Sequence, residues 1–158
     1  MTLLKLAGAL AIALTPLAAP ALAIDSGGDD TSAAAPAPTV KKPAVPTLAA
    51  ARSEIDASNW SKALADLKLI AAANPNSADA YNLMGFTYRN MGNYDRAGQA
   101  YAKALKLNPK HTGALEYQGI LFIKLGQLDK AKANLAKIKT ICGTTCEPYE
   151  DLEKALGS

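Results

Sequence analysis

Shifted against itself by 34 residues, the sequence returns to register. Ala51 aligns with Gly85 and Gly119, Trp60 with Tyr94 and Leu128, Ala63 with Ala97 and Ala131, and Leu67 with Tyr101 and Leu135, while the same shift carries Pro75 to Pro109. A period held across independent columns constrains the fold more than any local motif. It belongs to a chain made of stacked copies of one supersecondary unit, each too small to bury its apolar face alone.

The middle unit shows what that unit is. From residue 81 to 109 it reads YNLMGFTYRNMGNYDRAGQAYAKALKLNP. Tyr81, Met84, Gly85 and Tyr88 recur at i, i+3, i+4 and i+7, which gathers them on one face of a helix. Gly92 supplies a left-handed stop and Asn93 can cap the next start. A second helix then places Ala97, Tyr101, Ala104 and Leu105 on one face, and Asn108-Pro109 ends it, because the residue before a proline is pushed out of helical geometry. Each unit is therefore an antiparallel helical hairpin. Gly85 and Ala97 are expected to be small so that the two backbones approach closely where they cross, with Tyr88 and Tyr101 filling the space on either side.

These residues resemble the tetratricopeptide repeat family. Its pattern of an aromatic, a large apolar residue, Gly or Ala, an aromatic, then Ala, an aromatic, Ala and a closing Pro is met by Tyr81, Met84, Gly85, Tyr88, Ala97, Tyr101, Ala104 and Pro109. The third unit keeps Leu115, Gly119, Phe122, Ala131, Leu135 and Ile138, with Gln118 where an apolar residue is usual and Gly143 in place of the proline. The first keeps Ala50, Ala51, Ala63, Leu67, Ile70 and Pro75, with Thr47 and Glu54 where large side chains belong. The resemblance implies an all-α, right-handed α-solenoid of about three hairpins over residues 47–141, in repeat register 44–77, 78–111 and 112–145. A capping helix over 146–158 closes it: Tyr149, Leu152 and Leu156 share one face there, and Thr144 with Glu147 fits a capping box at its start.

Before the repeats, residues 1–23 carry one basic residue, Lys5, an apolar run and an Ala21-Leu22-Ala23 end, the build of a secretory signal peptide cleaved after Ala23. Residues 24–46 hold four prolines and few large apolar side chains, so they read as a flexible linker. An exported and, most simply, periplasmic protein with no membrane insertion after cleavage is expected. Removing Lys5 from the 17 basic residues leaves 16 against 14 acidic ones, a balance of +2 that gives no reason to expect nucleic acid.

Cys142 and Cys146 flank the junction between the last repeat and the cap. In an exported chain the even count favours a disulfide, and Gly143 gives the backbone freedom to close it. A thiol-exchange role is the alternative, although the spacing is C-x3-C and no βαβ pattern surrounds it. Two thiolates and one distant histidine do not make a zinc site. His111 reads as a solvated turn residue, and no nucleotide-binding loop or H-E-x-x-H motif occurs. No cofactor, metal or enzymatic activity is expected.

What remains is surface. The resemblance implies that the first helices of successive repeats line a concave groove that takes a protein or peptide segment. Carried over by position, its residues are Leu48, Arg52 and Ile55, then Asn82, Phe86, Arg89 and Asn90, then Glu116, Ile120, Ile123 and Lys124. Phe86, Ile120 and Ile123 lie off the internal packing face; they either leave an apolar row on a groove wall or pack between neighbouring helices. An exported scaffold or adaptor follows. A self-associating architectural protein and a thiol-active factor are the competing readings.

Overall fold

Turn residues cut the chain into short helices, and a computed structural model shows how the pieces stack. The structure describes residues 44–157; the expected signal peptide and the expected linker as far as residue 43 lie outside the described residues. Among the described residues there are seven α-helices and no strand: α1 (Leu48–Asp56), α2 (Trp60–Ala73), α3 (Ala78–Asn90), α4 (Tyr94–Leu107), α5 (Thr112–Lys124), α6 (Leu128–Cys142) and α7 (Glu147–Leu156). None is long and apolar enough to cross a membrane.

Local chemistry sets the helix ends. The turn inside each hairpin needs a positive φ, taken by Gly92 at +76° and Gly126 at +71°. In the first hairpin the same register position is Ser58, at φ +57°, a conformation that costs an L-residue energy and glycine none. Asn93 caps α4, its Oδ1 accepting from the Arg96 N–H at 3.2 Å. Asn74 and Asn108 close α2 and α4 and accept from the backbone N–H groups of Asn76 and Lys110, so a side-chain turn takes over where Pro75 and Pro109 stop the helix.

The helices of each hairpin pack on one another, and the odd-numbered helices also touch in succession, α1 on α3, α3 on α5 and α5 on α7. The even-numbered helices make no such contacts with each other. The odd helices therefore form the inner side of the stack and the even ones its outer side. Helix α3, with α1, α2, α4 and α5 around it, buries Ala80, Asn82, Leu83, Gly85, Thr87 and Tyr88. That is wider than the single stripe its periodicity implies, and Tyr81 and Met84 of the expected stripe are only half-buried.

The role of Gly85 differs from the expectation. A Cβ built there would lie 2.5 Å from Cε1 of Tyr101, whose side chain is fully buried. The close approach is of the Tyr101 ring onto the α3 backbone, rather than of two backbones meeting at Gly85 and Ala97. Gly119, in register with Gly85, receives a different group: its Cβ would lie 2.6 Å from Cδ2 of Leu152 on α7.

Polar residues replace apolar ones at two repeat positions. Glu54 accepts from Asn59 Nδ2 at 2.9 Å and pairs with Lys62 at 3.1 Å, and these two hydrogen bonds hold its carboxyl below the usual range. Gln118 accepts from Asn134 Nδ2 at 3.1 Å, and the same Nδ2 donates to the Leu115 carbonyl at 2.9 Å. Asn134 is 4% exposed, so this bonding is what makes its burial tolerable.

Helix α7 buries Tyr149 and Leu152 against Leu115 and Ile138, with Leu156 packed at the edge. Cys142 and Cys146 form a disulfide, Cα to Cα 6.1 Å, across the turn into this helix. The N-cap is Cys146, not Thr144. A helix starting at Thr144 would put Pro148 past its first turn, where the missing N–H breaks a hydrogen bond; starting at Glu147 keeps the proline in the first turn.

Candidate partner-binding groove

The inner helices bring together side chains far apart in sequence. Arg52, Ile55 and Asp56 of α1, Asn82, Leu83 and Phe86 of α3, and Tyr117 of α5 line a cavity of about 260 Å3. Aromatic rings form its wall. Phe86 stands 6.4 Å from Trp60 and 5.0 Å from Tyr117 between centroids, and Tyr117 lies 6.5 Å from Tyr101, all in tilted arrangements that suit the ring quadrupoles.

A cation is held on that wall. The Arg89 guanidinium lies 5.3 Å from the Phe86 centroid and 5.9 Å from that of Tyr117, within cation–π range of both. Two buried polar atoms of α3, Asn82 Oδ1 and Arg89 Nε, have no hydrogen-bond partner among the described residues. Leaving such an atom unpaired costs on the order of 1–3 kcal/mol, so the inner face is incomplete as a hydrogen-bonding surface.

The repeat pattern and this geometry both find matches among known proteins. The family model described as tetratricopeptide repeat matches residues 78–111. A TPR repeat-containing protein of Methanocaldococcus jannaschii is 34% identical over 82 residues, covering 50% of this chain and 14% of that protein. Among solved structures, the crystal structure of MamA is similar with a TM-score of 0.61 and 23% identity, covering 70% of this chain and 64% of MamA. Residues 78–111 match a tetratricopeptide repeat, and the described helices have the fold of such repeats. The Yersinia enterocolitica type III secretion chaperone SycD, in complex with a peptide of the translocator YopD, shares the fold with a TM-score of 0.59 and 14% identity, covering 68% of this chain and 81% of SycD. The chain thus spans a small part of its M. jannaschii relative, and the two structural likenesses speak for the fold.

Within this tetratricopeptide array the residues expected in the groove divide into three groups. Arg52, Ile55, Asn82 and Phe86 line the cavity, and Arg89 stacks beside it. Ile55 is also a core residue, 9% exposed, and Leu48 packs half-buried against the same cluster. Of the two readings of Ile120 and Ile123, the one in which they pack between helices holds: both are half-buried against the cluster of Leu115, Ile138, Tyr149 and Leu152. The capping helix supplies that surface, and a repeat pattern cannot show which apolar positions the cap will take. Asn90 is exposed and donates to the Phe86 carbonyl at 2.9 Å. Lys124 sits over the Tyr94 ring at 5.5 Å, beside the start of α4.

Tyr117 is the site residue the sequence reading missed. It occupies the register position of Leu83, outside the aromatic positions of the repeat, and an unexplained aromatic there is the signal that could have found it. His111 also departs from expectation. Its side chain is 15% exposed, its Nδ1 accepts from the Ala114 N–H at 3.2 Å, and Nε2 meets Asp79 Oδ1 at 3.2 Å. With Nδ1 accepting, the ring proton sits on Nε2 and is donated to Asp79. His111 caps α5.

Glu116, expected in the groove, lies outside the lining of that cavity and has the most perturbed carboxyl of the described residues. It is 6% exposed, and burial, then repulsion by Asp151 and Glu147 of α7, pushes its carboxyl pKa up to about 8 against the pull of Arg89. Near neutral pH it is mostly a neutral acid.

Proposed function

We propose that this chain is an exported tetratricopeptide-repeat adaptor that holds a peptide or protein segment on its inner face. The observation that carries the reading is the aromatic cavity of Phe86 and Tyr117, edged by Arg89 and by a buried Asn82 whose Oδ1 has no partner among the described residues. Such a surface offers apolar contact together with a few placed polar groups, which is how a chain segment is gripped and oriented. SycD, of the same fold, takes a peptide. That likeness supports a peptide ligand here without naming it.

Export rests on the leader-like residues 1–23 and on the cysteine pair, since disulfides persist in oxidising compartments. Intact-mass analysis of protein recovered from cells should show a chain starting at Ile24 and no alkylatable thiol in the unreduced sample. A chain beginning at Met1 with two labelled cysteines would end this part of the reading.

The groove is tested by photo-crosslinking in cells from position 86, with the exposed outer position Lys132 as the control. A partner captured from 86 and absent from 132 supports the groove; capture from 132 alone moves the site to the outer side. A self-associating envelope protein is the second reading, favoured by the exposure of Met91, Leu125 and Leu128 along the hairpin turns, at 45%, 45% and 48%. Light scattering that reports a monomer at high concentration removes it.

A further inference from the structure

The near-neutral balance of the whole sequence conceals a sorting of charge that only the stack reveals. The outer helices α2, α4 and α6 hold nine basic residues and three acidic ones, whereas the inner helices α1, α3, α5 and α7 hold four basic and eight acidic. All nine outer cations are exposed. The three outer carboxylates do little to offset them. Asp66 is 9% exposed and bound to Lys62 at 2.7 Å, while Asp95 and Asp129 sit in the first turns of α4 and α6, at the hairpin-turn edge. Beyond those turns neither helix carries an acidic residue. Lys68, Lys106, Lys132, Lys137 and Lys139 form no ion pair with another described residue. Like charges held together without counter-charges repel, so this face carries a potential that an anionic partner relieves.

Two features choose among anionic partners. The first is that the cations spread in two dimensions. Residues seven apart on a helix, as Lys130 is from Lys137 and Lys132 from Lys139, lie on one side of it and about 10 Å apart along its axis, and the three outer helices are separate ridges that do not touch one another. A single acidic segment meets one row of such an array; a plane of anionic headgroups meets all of it. The second feature is what lies among the cations. Ala65, Leu69 and Ala72 on α2, Ala102 on α4, and Ala133 and Ala136 on α6 are all exposed. Leu69, at 54%, is the most exposed large apolar side chain among the described residues. A soluble polyanion gains nothing from such surface, whereas a bilayer interface takes up apolar groups while lysine stems reach its phosphates.

We propose that the outer face of α2, α4 and α6 docks on an anionic phospholipid bilayer, lying on the headgroups without spanning them, with the acidic inner side turned away. The bilayer's negative surface potential attracts each exposed lysine or arginine within about a Debye length, about 8 Å in physiological salt, and repels the inner helices and the cap. That difference orients the stack and leaves its inner groove open to solvent. The docking does not depend on the groove having a ligand.

The test is co-sedimentation of disulfide-intact protein recovered from cells with vesicles of phosphatidylcholine alone or with about one-third phosphatidylglycerol. The anionic vesicles should bind at least about tenfold more tightly, and raising salt from about 0.05 M to about 0.5 M should release the protein. Lys106→Glu with Lys137→Glu, both exposed on the outer helices, should weaken this binding at least about tenfold. Lys124→Glu with Lys154→Glu, both exposed on the inner helices, makes the same change in net charge and should weaken it less than about threefold. All four positions are solvated and keep a good helix former, so a loss of binding does not report unfolding. Equal loss in the two variants would mean that net charge, not a face, attracts the vesicle, and overturns the proposal. Equal binding to both vesicles, or none to the anionic ones, overturns it as well. Polyglutamate that displaces the vesicles at equal charge concentration makes the partner an acidic polypeptide and overturns the bilayer, while capture from position 86 decides the groove separately.

Discussion

The middle and third hairpins share a register and a glycine, but they fill the space above that glycine from different places. Tyr101, from the partner helix of the same hairpin, lies on Gly85; Leu152, from the cap, lies on Gly119. The residue in register with Tyr101 is Leu135, half-buried and too short to do the same work. Their next contacts diverge as well. Met84 and Ala100 belong to the apolar cluster of the middle hairpin, whereas their counterparts Gln118 and Asn134 hydrogen-bond to each other. The middle hairpin fills the space above its glycine from its own second helix, and the third has that space filled by its neighbour. A repeat at the end of a stack can keep the pattern only if something beyond it takes the place of the missing unit.

The comparison breaks most sharply through its two filling side chains. Tyr101→Ala should cost about 3–5 kcal/mol in a urea titration, and Leu152→Ala about 2–5 kcal/mol. Hydrogen exchange separates them further: the Leu152 variant should lose protection first in α7 and α5, the Tyr101 variant throughout the middle hairpin. Uniform loss in both would mean that the cap and the middle hairpin are one cooperative unit.

Adding a methyl to each glycine sharpens the difference. At Gly85 the new Cβ meets a rigid ring, so Gly85→Ala should destabilise by about 1–3 kcal/mol. At Gly119 it meets both methyl groups of the fully buried Leu152, so Gly119→Ala should also destabilise, by less than Gly85→Ala because a leucine has more rotamer freedom than a ring. Equal melting shifts would remove the distinction.

The two hairpins should also differ in pH response, because Asn82 cannot titrate and Glu116 can. The folded-state pKa of Glu116, about 8, lies above its ordinary 4.5, so the native state keeps a proton that the unfolded chain has lost. Stability contributed by this group is intact below about pH 4.5 and falls as pH rises towards 8. Solvent around exposed Glu147 and Asp151 screens the effect, leaving a fall on the order of 1–2 kcal/mol. Denaturation at pH 5, 7 and 9 should show that slope in the native protein and little of it in Glu116→Gln.

Smaller effects test the polar exchanges. The double change Gln118→Met with Asn134→Ala, which installs the residues of the middle hairpin, should be neutral or stabilising by up to about 1 kcal/mol, while Asn134→Ala alone should cost about 1–2 kcal/mol. Ser58→Gly brings the first hairpin turn into line with Gly92 and Gly126 and should add about 0.5–1 kcal/mol, read as a rise in Tm.

Much of this architecture was legible as a period. The spacing of Gly85, Tyr88, Ala97 and Tyr101 specifies two helices, and Asn93 and Pro109 mark where they begin and end. Legibility stopped where one surface had two claimants. Ile120 and Ile123 carry the same apolar character whether they face a partner or the cap, and only the docking of α7 decided between them. Tyr117 and Glu116 acquire their roles from residues on other helices, Phe86 at 5.0 Å and the carboxylates of α7, which no window along the chain contains.

By itself, then, the sequence determined the repeating hairpin, its turns and its small-residue positions, because those follow from backbone geometry and from spacing within a few residues. The tertiary structure decided which side chain fills each glycine's space, which polar atoms stay unpaired and which carboxyl keeps its proton. Those depend on desolvation and on contacts between helices far apart along the chain.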